Sequence, residues 1–162
     1  MAELTQLESK LGEVFGLAQA AQDATSKVIK LVDDDQVQSK LEKMREEAAE
    51  TERRCEELAS ELDGKKTALE EKARETKSEA QEMMKTYLGD DADGLDGFEF
   101  LTMAEAGELG HVEIMGRLNE KAGNPAFQEL VEWALPIQQR HFDTTRDCAL
   151  ALAGQEDPNE PA

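Results

Sequence analysis

The sequence predicts an all-α fold, a four-helix bundle with a long helical crossover between the second and third bundle helices. Three observations carry that prediction. Apolar residues recur in alternating steps of three and four along almost the whole chain, the period of an amphipathic helix. Only 4% of residues are aromatic and four are proline, against 34% charged, a profile of packed helices rather than of a sandwich or barrel. Asp, Asn, Gly and Pro gather at a few turn signals, and long helical intervals lie between them.

The first helix is read over Leu4 to Val32, with Leu4, Leu7, Leu11, Val14, Ala18, Ala21, Thr25, Val28 and Val32 at heptad spacing and Phe15 and Leu31 widening the stripe. Gly12 and Gly16 each cost up to about 1 kcal/mol against Ala in a helix, so they are expected to mark a close approach of another helix. Asp33 to Asp35 supply an N-cap for a second helix reaching about Asp63, whose seam is Val37, Leu41, Met44, Ala48, Thr51, Cys55, Leu58 and Leu62, and Gly64 stops it. A turn this short makes the two helices antiparallel neighbours.

A third helix, about residues 65–88, has a narrow stripe at Leu69, Ala73, Thr76, Ala80, Met83 and Tyr87, suited to covering a bundle. At about 1.5 Å per residue it returns the chain to where the second helix began, so the second and fourth helices are expected to run parallel. The run Gly89 to Gly97 is a turn and cap region; Gly89 and Phe100 fall where a calcium loop needs its first and twelfth ligands. The fourth helix, containing Leu101 to Leu118, has an expected inward seam of Leu101, Ala104, Glu108, His111, Met115 and Leu118, and Gly123 ends it. Asn124 and Pro125 then open a fifth helix running to about Ala153, with a seam of Phe127, Val131, Ala134, Gln138, His141, Thr145, Cys148 and Leu152 and an internal Pro136. Residues 1–153 thus read as one helical domain and residues 154–162 as a disordered acidic tail.

The formal charge of −19 repels phosphates, so neither nucleic acid nor an anionic membrane surface is an expected partner. Two cysteines, Cys55 and Cys148, are too few for a disulfide scaffold or thiolate cluster and read as core residues. No apolar run approaches the roughly 20 residues that span a bilayer, and MAELTQLESK lacks a signal peptide's basic and apolar regions, so a cytoplasmic location is expected.

Both histidines of the chain fall on expected inward seams, each preceded three residues earlier by Glu or Gln: Glu108 with His111, and Gln138 with His141. Gln22 and Glu52 flank the seams of the first two helices near the same level, so polar residues converge on one layer. This pattern, with AETERRCEEL on the second helix and the stretch EAGELGHVEIMGRLNEKAGNPAFQELVEWALPIQQRHFDTTRD, resembles the ferritin-like superfamily and, more narrowly, the bacterial stress proteins related to YciE and YciF. The resemblance implies a homodimer and a metal site held by Gln22, Glu52, Glu108, His111, Gln138 and His141. Gln22 and Gln138 are neutral and Ala49 stands where the second helix could offer a carboxylate, so two carboxylates remain to balance metal charge.

Glu52, Glu108, His111 and His141 therefore form a set suited to one Fe, Mn or Zn ion, with Gln22 and Gln138 as weaker members and redox or peroxide-protective chemistry if active. The competing reading is a metal-free hydrogen-bonded layer in a non-catalytic scaffold or interaction protein. Glu105 and Glu113 read as surface charges, Trp133 and Tyr87 as packing or dimer contacts, and Gly107 and Gly110 as tight packing or widened access.

Overall fold

The computed structural model describes all 162 residues and is all-helical: α1 (Gln6–Ile29), α2 (Asp35–Glu61), α3 (Lys66–Tyr87), α4 (Gly94–Ala122) and α5 (Pro125–Ala153). Most boundaries have a local chemical cause. Thr5 closes a capping box with Glu8 at the start of α1, and Asp34 accepts from the amides of Gln36 and Val37 to start α2. Gly64 adopts φ +70°, just beyond the end of α2. Asp93 and Asp96 form a second capping box, so α4 begins at Gly94, inside the stretch read from sequence as a turn and cap. Gly123, at φ +64°, turns the chain out of α4, and Asn124 caps α5 through the amides of Ala126 and Phe127. The side chain of Asn119 fastens that corner by exchanging two hydrogen bonds with the backbone of Asn124. α5 runs through Pro136 without a break.

α1 packs on α2 and α4, and α5 closes the ring by packing on the same two helices. The core falls into two apolar clusters, one at each end. Leu11 and Val14 of α1 meet Cys55 and Leu58 of α2, Leu69 of α3, Met115 of α4, and Phe127 and Leu130 of α5. At the other end Val28 meets Leu41, Leu88, Phe98 and Leu101, with Cys148 and Leu152 against them. The start of α1 is therefore beside the end of α2, the start of α3, the end of α4 and the start of α5. So α1, α3 and α5 run one way and α2 and α4 the other, the parallel relation the crossover length implies. Burying each of Leu11, Phe98 and Phe127 in these clusters contributes roughly 1.5–3 kcal/mol.

α3 lies mainly against α1 and buries only Ala68, Leu69 and Ala73 within its length. The glycines of α1 permit this contact. A Cβ on Gly16 would lie 2.3 Å from the carbonyl oxygen of Ala73, and one on Gly12 would lie 2.7 Å from Lys72 Cγ. Of the two roles read for Gly107 and Gly110, tight packing is not the one they serve, because nothing stands within 4 Å of a Cβ at either position. No helix is long and apolar enough to cross a membrane.

Candidate functional site

Between the two apolar clusters lies a polar layer on α2, α4 and α5. Its central members are almost sealed from solvent: Glu105 is 1% exposed, His141 2%, Gln138 6% and Glu108 9%. Leu101, Glu105, Glu108, Val112, Met115 and Asn119 form the buried line of α4, again in steps of four and three. This is the expected seam rotated by about one residue, sharing Leu101, Glu108 and Met115 with it. The rotation carries Glu105 inward and His111 outward.

Gln138 ties the layer together. Its Nε2 donates to Glu105 Oε2 at 2.6 Å and to Glu108 Oε2 at 3.1 Å, spanning two carboxylates one turn apart on α4. The imidazole of His141 lies between two further carboxylate contacts, with Nε2 3.4 Å from Glu47 and Nδ1 3.6 Å from Glu105. Arg140, the next residue on α5, grips Glu47 with both terminal nitrogens at 2.8 and 2.6 Å. Thr51 and Thr145, on the inward faces of α2 and α5, spend their hydroxyls on carbonyls of their own helices.

The ionisation of the layer follows from these contacts. Burial, and after it the charge of Glu105, holds the Glu108 carboxyl well above the ordinary carboxylate range, with the Gln138 hydrogen bond acting in the opposite sense. For Glu47 burial is the largest single influence and raises its value, but hydrogen bonds and charge from Arg140 and His141 together outweigh it and leave Glu47 lowered. The layer thus favours the neutral form of Glu108 and the ionised form of Glu47, which is paired with Arg140.

Of the residues singled out from sequence, the structure brings together Glu108, Gln138 and His141. It sets Glu52, Gln22 and His111 apart from them. Glu52 accepts from Gln19 at 3.1 Å and from Gln22, and borders a groove with Glu70, Arg74 and Lys77 of α3. His111 sits with 35% of its side chain exposed, Nδ1 donating to the Gly107 carbonyl at 2.7 Å and Nε2 3.3 Å from Glu13 of α1. Glu105 is not the surface charge it resembled in sequence, since the α4 rotation makes it the most buried acid of the layer. Glu47 was also missed. It precedes Ala48 on the flank of the α2 stripe, and its signal was the Arg140 and His141 pair that faces it.

Carboxylate and imidazole donors are the right chemical types for Fe, Mn or Zn. Their placement does not fit one ion: no three His, Cys, Asp or Glu side chains are positioned to hold a common metal. Gln138 donor hydrogens lie between Glu105 and Glu108, and the two nitrogens of His141 face different carboxylates. No family model, curated protein or solved structure matches the chain.

Trp133 of α5 packs under Arg54 of α2, the guanidinium 4.0 Å from the ring centre, while its buried indole nitrogen lacks a hydrogen-bond partner. Tyr87 stacks at 6.1 Å on Phe100 and remains exposed. Both residues therefore have packing partners within the chain.

Proposed function

We propose that this chain is a cytoplasmic, ferritin-like, stress-associated protein that works as a non-catalytic dimeric scaffold, its polar layer standing where relatives of that architecture hold metal. The ferritin-like assignment is supported by helix order: the antiparallel pairs α1–α2 and α4–α5 are joined by a crossover that leaves α2 and α4 parallel. The dimer draws support from the exposed Met83 and Tyr87 on the outer helix.

The metal-free reading is carried by Gln138. A neutral amide donates to two buried carboxylates where a cation would otherwise bridge them. The Arg140 guanidinium offsets the charge of Glu47 and burial favours the neutral form of Glu108, so the layer's own residues reduce its need for a cation.

A second reading, one Fe, Mn or Zn ion with redox-protective chemistry, is favoured by the meeting of Glu47, Glu105, Glu108 and His141 in one layer. Metal analysis of untagged protein from cells grown with added iron, manganese and zinc separates the two. The scaffold reading expects far less than one ion per chain and an unchanged melting temperature after chelation. A stoichiometric ion that disappears in a Glu105→Gln, His141→Ala double variant refutes it.

A further inference from the structure

A cavity of about 240 Å³ opens between α1, α3 and α4. It exists because small residues face one another there: Ala20 and Ala24 on α1 and Ala80 on α3 leave space that larger side chains would fill. α3 lies along α1 and makes little contact with α4, so the wedge between α3 and α4 stays open. Met84, Leu101 and Ala104 complete its apolar wall. Met83 and Met103 stand exposed at its margin, where unbranched thioether side chains can reshape themselves around a guest. Gly107 is exposed at the same margin and a Cβ there would meet nothing within 4 Å, so this side of the entrance is unobstructed.

The surface of the cavity is almost wholly apolar, although four polar side chains border it. Each of the four is engaged elsewhere. Gln138 of α5 holds the carboxyls of Glu105 and Glu108, and burial favours the neutral form of Glu108. His111 spends Nδ1 on the Gly107 carbonyl and sets Nε2 3.3 Å from Glu13, while the Gln81 amide donates to Asp23 at 3.1 Å. The lining residues all lie within α1, α3 and α4, whose peptide groups are spent on the helices themselves. Water entering such a space lacks the roughly two to four polar partners that would hold it, and a charged head of either sign lacks a counter-group. Replacing poorly held water by hydrocarbon is favourable. Size then sets the guest: an apolar cavity of about 150 Å³ accepts benzene, so about 240 Å³ suits a body of about ten carbons.

We propose that this cavity is a binding site for a small uncharged hydrocarbon molecule of about ten carbons, held between α1, α3 and α4 by apolar contact alone. The assignment goes beyond the scaffold reading and does not depend on whether the polar layer holds an ion.

The test is equilibrium dialysis of the full chain at physiological salt, so that surface charge is screened, against three probes that share one ring system. The probes are naphthalene, naphthoate and naphthylmethylammonium. Naphthalene is expected to bind stoichiometrically, and both charged probes at least about tenfold more weakly. Ala80→Leu and Ala104→Leu fill the cavity from two different helices. Each is expected to weaken naphthalene at least about fivefold while leaving the melting temperature equal or higher, as cavity filling does.

Circular dichroism confirms that each variant is folded, and sedimentation of each sample separates the guest from the proposed dimer contact, which shares Met83. Absence of naphthalene binding, equal or tighter binding of either charged probe, or naphthalene affinity untouched by the two filling variants overturns the proposal. Binding that appears only when Met83→Asp dissolves a dimer gives the space to a second copy of the chain and overturns it too.

Discussion

Three glycines, Gly16 on α1 and Gly107 and Gly110 on α4, make opposite predictions for the same substitution. Gly16→Ala places a Cβ 2.3 Å from the Ala73 carbonyl oxygen, 2.9 Å from Thr76 Cβ and 3.0 Å from the Ala73 carbonyl carbon. Two of these atoms are backbone, so relief requires α3 to move away from α1. Overpacking of this kind costs about 1–3 kcal/mol. The intrinsic gain from replacing Gly by Ala in a helix is about 1 kcal/mol, leaving a net loss of up to about 2 kcal/mol. In a chain of this size that lowers the melting temperature by up to about 8 °C. Gly107→Ala and Gly110→Ala meet nothing within 4 Å, so only the propensity gain operates and each is expected to raise the melting temperature by about 1–4 °C. Thermal and urea unfolding of the set, followed by circular dichroism, reads both signs. If Gly16→Ala stabilises as much as Gly107→Ala, the tight seating of α3 on α1 is refuted.

The pH response of Glu108→Gln is also set by the structure. Because the folded carboxyl is raised above its ordinary 4.5, the folded chain retains a proton that the unfolded chain gives up, and stability from this group is lost as pH rises from about 4.5 toward the folded value. Gln stays neutral, so the variant is expected to gain on the parent by up to about 1.4 kcal/mol per pH unit within that window; a difference that stays flat with pH contradicts the burial of a protonated acid. Cys55 is wholly buried and its thiol is pushed up by burial, while Cys148 is half-buried and less protected. With a thiol reagent at pH about 8 the Cys148→Ser variant is expected to react only on addition of denaturant. Reaction at the parental rate in the native state shows Cys55 to be accessible.

The sequence carried the helices well because heptad spacing and caps act locally: Asp34, Asn124, Gly64 and Gly123 end or start elements where their chemistry requires. Gly12 and Gly16 also foretold a close contact, since an unexplained glycine in a helix is costly. The rotation of α4 was not legible. Leu101, Glu108 and Met115 belong equally to two seams, and the flank that turns inward is decided by packing against α1 and α5. Choosing the Ala104 and His111 flank over the Glu105 and Val112 flank exchanged a buried acid for a half-buried histidine. Glu47 was hidden for a related reason: it lies beside the apolar stripe of α2 rather than on it, and only contact with α5 gives it partners.

The bridge made by Gln138 also acts as a detent on the assembly. Apolar heptads offer neighbouring registers that differ little in buried area, so two helices can slide by seven residues and still bury their stripes. α4 and α5 cannot do so cheaply. Seven residues before Glu105 and Glu108 stand Phe98 and Leu101, and seven after them stand Val112 and Met115. Either slip presses the Gln138 amide against hydrocarbon and strands two acids, converting a smooth choice among similar alignments into a single permitted one.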